Sequence, residues 1–239
     1  MDLGLEGRVA LVTAASKGLG RATALALSQE GAKLTICARN QPALNDTAAA
    51  MPGETLAIQA DVTDPATPQR LVDATLDRFG ALHVLVGNAG GPPRARALEV
   101  DDDAVLEAVQ ANLLTSIRLV KAALPPMRAA GWGRICLLTS KAVKQPIPTL
   151  ALSNLARTGL WAWAKTAAAD LFEEGITLNL ASPGTHDTER ARQAGQLGQD
   201  PVGDPADFGK VVCFLCSDPA RFVSGAALQV DGATTVGLL

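Results

Sequence analysis

Short, almost uninterrupted apolar runs alternate along this chain with longer stretches whose apolar positions recur every three or four residues. The runs are Arg8 to Thr13 (RVALVT), Lys33 to Ala38 (KLTICA), Thr55 to Ala60, Leu82 to Gly87, Arg134 to Thr139 (RICLLT), Ile176 to Ala181 and Ala227 to Val230. Each is four to six residues long and rich in aliphatic or β-branched side chains, which predicts strands. Between them the helical period predicts helices over about Leu19 to Glu30, Pro42 to Met51, Pro65 to Phe79, Asp101 to Gln110, Ala111 to Ala130, Ala151 to Phe172 and Pro205 to Ser217. Gly31, directly after the first helix, is a stop signal. Strands that are apolar at nearly every position have both faces covered. Repeated strand–helix–strand units of this kind predict an α/β domain, a doubly wound parallel sheet with helices on both faces. No linker, repeat or low-complexity tract divides the 239 residues, so a single domain is expected. The irregular stretch Thr185 to Asp204, rich in Gly, Gln and Asp, is expected to be a loop over the ligand crevice.

Composition narrows the function classes. With 48% hydrophobic and 19% charged residues the chain can bury a large core. The net charge of −3 comes with no basic run, which leaves nothing to suggest a nucleic-acid partner or an anionic membrane surface. No apolar stretch approaches the length of a spanning helix, and Met1-Asp2-Leu3-Gly4 lacks a signal peptide's basic and apolar regions; a soluble, cytoplasmic chain is expected. Cys213 and Cys216 have the spacing of a redox motif, but they sit in a run expected to be a buried helix, so with Cys37 and Cys136 they read as small core residues. Two histidines, His83 and His186, without clustered partners make no metal site.

The chemistry begins where the first strand meets Thr13-Ala14-Ala15-Ser16-Lys17-Gly18-Leu19-Gly20. A helix opening after a glycine turn presents unpaired N–H groups and a partial positive charge, which suits a pyrophosphate. A glycine turn in this strand–turn–helix context is the arrangement that dinucleotide sites use.

That segment, Asn88-Ala89-Gly90, Ser140 and the stretch Ser217 to Gly225 followed by Asp231-Gly232 together resemble the short-chain dehydrogenases/reductases over nearly the whole chain. The resemblance implies a Rossmann-like fold, a nicotinamide cofactor, a small-molecule carbonyl or alcohol substrate and assembly as a homodimer or homotetramer. Thr13, Ser16, Lys17, Gly18, Leu19 and Gly20 correspond to the phosphate turn; the family's first glycine is Ala14 here, which fits the turn if its φ is negative. Asp61-Val62 would face the adenine and Asn88-Ala89-Gly90 the adenosine ribose, while Pro183-Gly184 and Thr188 would cover the nicotinamide. After the second strand, where NAD binders place an acid for the ribose 2′-hydroxyl, this chain has Arg39-Asn40. Arg39 and Lys17 are two cations suited to a 2′-phosphate, so NADP(H) is expected in preference to NAD(H).

The family's proton donor is a tyrosine, and this chain has none. Asn112 and Ser140 match two of the family's four catalytic residues, but the positions of the tyrosine and lysine are Ser153 and Arg157. An aliphatic hydroxyl is a far weaker acid than a phenol. Arg157 is expected still to bind the cofactor by hydrogen-bonding ribose hydroxyls, as the resemblance implies for the lysine, but it stays protonated where lysine can relay a proton. Substitute acids are His186, otherwise an exposed loop histidine, and Lys141 or Lys144, otherwise solvated cations. Two functions therefore stay open at this point: an oxidoreductase with a non-standard proton route, or a nucleotide-binding protein without turnover. The helices around Asn112 and around Trp161-Ala162-Trp163 are expected to pack across a two-fold axis, unless both tryptophans fill the protomer's own core.

Overall fold

Seven strands, β1 (Val9–Val12), β2 (Lys33–Ala38), β3 (Thr55–Gln59), β4 (Val84–Gly87), β5 (Gly133–Leu138), β6 (Ile176–Pro183) and β7 (Ala227–Val230), pair in parallel in the order β3-β2-β1-β4-β5-β6-β7. The computed structural model describes residues 1–198 and 201–237. The order reverses between β1, which pairs with β2 on one side, and β4, which pairs on the other through Ala10↔Val84, Leu11↔Leu85 and Val12↔Val86. In open α/β sheets such a switch point leaves a crevice beyond the strands' carboxyl ends, because the flanking crossovers depart to opposite faces.

The helices are α1 (Gly18–Gln29), α2 (Gln41–Ala49), α3 (Thr67–Phe79), α4 (Asp102–Ala108), α5 (Thr115–Ala130), α6 (Ala151–Phe172), α7 (Glu189–Gln193) and α8 (Pro205–Leu215). α1 and α8 cover one face of the sheet with Leu27, Phe208 and Val212; α3, α5 and α6 cover the other with Leu71, Leu119 and Leu160. α1 and α8 approach closely at Gly209, where a Cβ would lie 2.5 Å from the Ala22 carbonyl oxygen. Gly31 ends α1 with φ +82°, and its N–H and that of Ala32 return to the carbonyls of Ser28 and Leu27. All four cysteines are buried and unpaired; burial pushes the Cys37 and Cys213 thiols up to about 12, as befits core packing rather than redox chemistry.

Two expectations need correction. The helices expected over residues 101–130 form one continuous rod, joined by a π-helical turn at Val109–Leu114. Apolar periodicity does not reveal a single inserted residue of this kind. The segment 185–204 is not all loop: it holds α7, and His186 bridges to Gly203, while Gln199 and Asp200 lie outside the described residues.

The opposite end of the sheet is held by an aromatic and cationic cluster. The guanidinium carbons of Arg8 and Arg134 lie 4.0 and 4.2 Å from the Trp132 ring centroid, and the Trp132 indole N–H donates to Asp218 at 2.8 Å. His83 meets Trp132 edge-on and its Nδ1 accepts from the Val9 N–H at 3.1 Å, so that nitrogen must be unprotonated. Burial, and then the charge of Arg8, hold the His83 pKa below the usual histidine value. A histidine with a depressed folded-state pKa binds protons more readily when unfolded, so stability present at neutral pH is lost as pH falls below about 6.5. Burial depresses His186 too, which adds to the same loss. Urea midpoints are therefore expected to drop between pH 7.5 and 5.5, and His83→Asn to show a smaller drop; an equal drop in both proteins would contradict this.

Candidate active site

At the switch point, β1 is followed by Thr13, whose hydroxyl donates to the Asn88 carbonyl at 2.7 Å and accepts from the Asn88 N–H at 2.8 Å. This pair of bonds ties the end of β1 to the segment after β4 and sets the floor of the crevice. Ala14 follows with φ +48°, so the expectation of a negative φ is wrong. The turn keeps a left-handed conformation although it carries a Cβ, at a cost of about 1–2 kcal/mol. Its surroundings hold it there: Ala15 N–H bonds the Cys37 carbonyl, and the Ala14 carbonyl points back over the turn. A Cβ on Gly20 would lie 2.5 Å from that carbonyl oxygen, which explains the glycine. At α1 the preceding Lys17 makes no side-chain cap, so the first-turn N–H groups are free for an anion.

One side of the crevice is a cleft of about 960 Å³ lined by Ser16, Lys17, Arg39, Asn40, Asp61 and Val62, with Asn112 on its far wall. Asp61 accepts from the Thr63 N–H and hydroxyl, and these bonds hold its carboxyl below the usual range. Asn40 caps α2 through the Ala43 N–H. Arg39 is exposed and makes no ion pair among the described residues. Lys17 does not lie free beside it, as the expected clamp requires: its ammonium pairs with Glu189 on α7 at 3.0 Å. Both groups are more than half exposed, so the pair is worth only about 0–1 kcal/mol and yields readily to a stronger anion.

The other side is a cavity of about 340 Å³, and it gathers Gly18, Leu19, Asn88, Ala89, Gly90, Ser140, Ser153, Arg157, Pro183, Gly184 and Thr188. Ser140 follows β5 in an extended conformation and accepts from the Ala142 N–H at 3.1 Å. Ser153 is buried on α6, and its hydroxyl makes no hydrogen bond among the described residues. One turn on, the buried Arg157 donates to the Leu138 carbonyl at 3.0 Å; burial, and then the charge of Arg190, push it down to about 10, so it remains a cation at neutral pH. Thr188 caps α7 by accepting from the Ala191 N–H. Gly184 has room for no side chain, since a Cβ there would lie 2.8 Å from the Asp231 Cα.

Asn112 is buried in the π-helical turn, and neither the nitrogen nor the oxygen of its side-chain amide has a protein partner among the described residues. Such a group calls for water or ligand. Among the substitute acids, His186 is not an exposed loop histidine: it is buried, packs edge-on against Phe208 with centroids 5.1 Å apart, and lines the smaller cavity. Phe208 lies 22 residues away on another element, so no local signal could announce that burial. Lys141 donates to Thr234 at 3.0 Å and Lys144 lies 5.6 Å from the Trp161 centroid, so neither is simply solvated. Arg190 and Glu189 line the same cavity, and sequence reasoning missed both because they stood in a segment taken for loop. Among the described residues no group of three His, Cys, Asp or Glu could hold a metal ion, and no helix is long and apolar enough to cross a membrane.

The profile of a family described as enoyl-(acyl carrier protein) reductase matches residues 13–235. The 3-oxoacyl-[acyl-carrier-protein] reductase FabG of Salmonella typhimurium is 30% identical over 239 residues, covering 96% of this chain and 98% of that one. Dehydrogenase/reductase SDR family member 4 of Sus scrofa is 29% identical, covering 96% and 88%. This chain belongs to the short-chain dehydrogenase/reductase family. The family is one of NAD(P)-dependent oxidoreductases, and its fold agrees: L-sorbose reductase from Gluconobacter frateurii, crystallised with NADPH and L-sorbose, superimposes with a TM-score of 0.92 at 26% identity, covering all of both chains.

Proposed function

We propose that this chain is an NADP(H)-dependent oxidoreductase that interconverts a carbonyl and an alcohol, with Ser140 and Ser153 rather than a phenol facing the reacting oxygen. One observation carries this reading: Ser140, Ser153 and Arg157 share a cavity with Gly18 and Leu19 of the phosphate turn. In a chain without tyrosine, the position resembling the family's proton donor is Ser153.

The residues fit a dinucleotide. Free N–H groups at α1 suit the pyrophosphate, with Thr13, Ser16 and Gly18 to Gly20 shaping the turn. Arg39, without an ion pair among the described residues, suits a 2′-phosphate, which would draw Lys17 from its weak pair with Glu189. Asp61 and Val62 suit the adenine; Pro183, Gly184 and Thr188 suit the nicotinamide, and the NADPH in the L-sorbose reductase crystal supports the choice of cofactor. When bound, NADPH supplies the hydride. Ser140 and Ser153 then hydrogen-bond the carbonyl oxygen, and the buried charge of Arg157 stabilises the negative charge that develops there. The unpartnered amide of Asn112 holds water from which the proton is drawn. A screen of ketones, diones and alcohols with NADPH and NADP+ tests the reading: NADPH oxidation that disappears in Ser140→Ala is expected, and binding without any turnover would point to a nucleotide-binding protein instead.

We also propose a cytoplasmic homodimer or homotetramer acting on a small molecule. Four unpaired buried cysteines suit a reducing compartment. Trp161 and Trp163 pack partly against the protomer's own core, yet the buried Trp161 indole N–H has no partner among the described residues, and Phe172 and Phe222 form an exposed aromatic pair. Sedimentation at micromolar concentration is expected to give two or four times the 24.6 kDa chain mass; a monomer alone would contradict assembly.

A further inference from the structure

Between Ser140 and Ser153 the chain passes through Pro146-Ile147-Pro148-Thr149-Leu150, a loop fixed at several points. Pro148 biases Ile147 before it towards extended backbone, and its own φ suits the second position of a turn. That turn is closed: the Leu150 N–H donates to the Ile147 carbonyl at 2.9 Å. A side chain then grips the same residue twice. Asn154, on α6 directly after Ser153, donates through its amide nitrogen to the Ile147 carbonyl at 2.9 Å and accepts from the Ile147 N–H at 3.3 Å. An amide matched to both the N–H and the C=O of one residue fixes where that residue sits and how it is tilted. A second segment braces the turn from outside. The Ala95 N–H donates to the Thr149 carbonyl at 3.0 Å, and the Ala151 N–H to the Ala95 carbonyl at 3.2 Å. Ile147 and Leu150, with Pro92 from the bracing segment, line the smaller cavity beside Ser140 and Ser153. None of these three apolar residues is among those that suit the cofactor, and Asn154 does not line the cavity itself.

We propose that Asn154 is a positioning residue for the substrate: it fixes Ile147 so that Ile147 and Leu150 present an apolar wall to one substituent of the carbonyl, and the favoured substrates carry an aliphatic chain there. This rests on the oxidoreductase reading and narrows its substrate class. The redox step is unchanged: the carbonyl carbon takes the hydride as NADPH becomes NADP+, the oxygen takes a proton drawn from water, and the aliphatic chain is not altered. Each methylene that the wall takes out of water strengthens binding about fourfold. A loop that had to be ordered on binding would lose part of that gain to entropy, and the Asn154 clamp removes the loss.

The test measures kcat/KM for 2-butanone, 2-pentanone and 2-hexanone with NADPH and the full-length protein, a series that lengthens the chain and leaves the carbonyl's reactivity nearly constant. The value is expected to rise about fourfold per methylene. Ile147→Ala is expected to flatten that rise to less than about twofold, while Ile147→Leu keeps most of it. Asn154→Ala is expected to flatten it through KM, with kcat and NADPH affinity little changed. Added to Ile147→Ala it should cost nothing further, because the wall it positions is already gone. Equal kcat/KM along the series in the unmodified protein would overturn the proposal. So would an Asn154→Ala protein that loses rate equally on all three ketones, since the amide would then only support the fold. If Asn154→Ala does not fold, Asn154→Asp takes its place, because it keeps the shape and the acceptor and loses only the donor to Ile147. If no ketone is reduced, saturation-transfer NMR of 2-butanone and 2-hexanone with the NADP+ complex decides. Tighter binding of the longer ketone that Ile147→Ala abolishes keeps the wall while the oxidoreductase reading fails; binding without dependence on chain length, or none, removes the wall as well.

Discussion

Ser153→Tyr combined with Arg157→Lys is expected to raise the rate of reduction of simple ketones or diones by about 10²–10⁴-fold, the usual worth of a positioned general acid. Ser153 is buried on α6 and lines the cavity of about 340 Å³ that Ser140 also lines, so a phenol placed there has space to approach the same oxygen. Lysine at 157 removes a guanidinium fixed to the Leu138 carbonyl and substitutes an amine that can lower the phenol's pKa and relay a proton. Each change alone is expected to give little. Tyrosine beside Arg157 gains a cation but no relay, and lysine beside Ser153 has no acid to tune. The gain of the pair should therefore exceed the product of the single gains. A further Ser140→Ala change should remove the gain, because the substrate oxygen then loses its second hydrogen bond. If the double variant folds and binds NADPH but gains no rate on any carbonyl, the cavity is not arranged for carbonyl chemistry.

NADPH is expected to bind at least ten- to a hundredfold more tightly than NADH, the worth of hydrogen bonds to a charged phosphate. The gap should narrow as salt rises, because Arg39 and Lys17 are exposed and screened. Arg39→Asp should remove most of the preference by weakening NADPH far more than NADH. The structure adds a second arm: Glu189→Gln releases Lys17 from its ion pair and should tighten NADPH binding a few-fold with little effect on NADH. Fluorescence titration reads all three proteins. Equal affinities for the two cofactors in the unmodified protein at low salt would end the argument for a 2′-phosphate site.

The sheet and its helices were legible because each run is long enough for its period to speak. Val9–Val12, Lys33–Ala38 and Gly133–Leu138 are apolar at almost every position, and Gly31 marks the end of α1. The gathering of Ser140, Ser153 and Arg157 was legible only through resemblance, since β5 and α6 are separate elements and nothing local aims them at one another. What stayed hidden depends on long-range contacts. The left-handed Ala14 is held by neighbours such as Asn88, 74 residues away, and the Lys17–Glu189 pair spans 172 residues. The π-helical turn that leaves Asn112 unpartnered is hidden for another reason, because one extra residue in a turn barely disturbs an apolar pattern. Arg190 was invisible because α7 is only five residues long and carries no apolar stripe.

The central claim is that this cavity moves a hydride from a bound nicotinamide to a carbonyl carbon without a phenol. Incubating the unmodified protein with NADPH deuterated at the nicotinamide C4 and a panel of 2-oxo acids, ketones and diones, then weighing the products by mass spectrometry, tests it most directly. The account predicts an alcohol carrying one deuterium, formed one-for-one with NADP+ and absent with Ser140→Ala. Saturable NADPH binding with no deuterium in any product would contradict it.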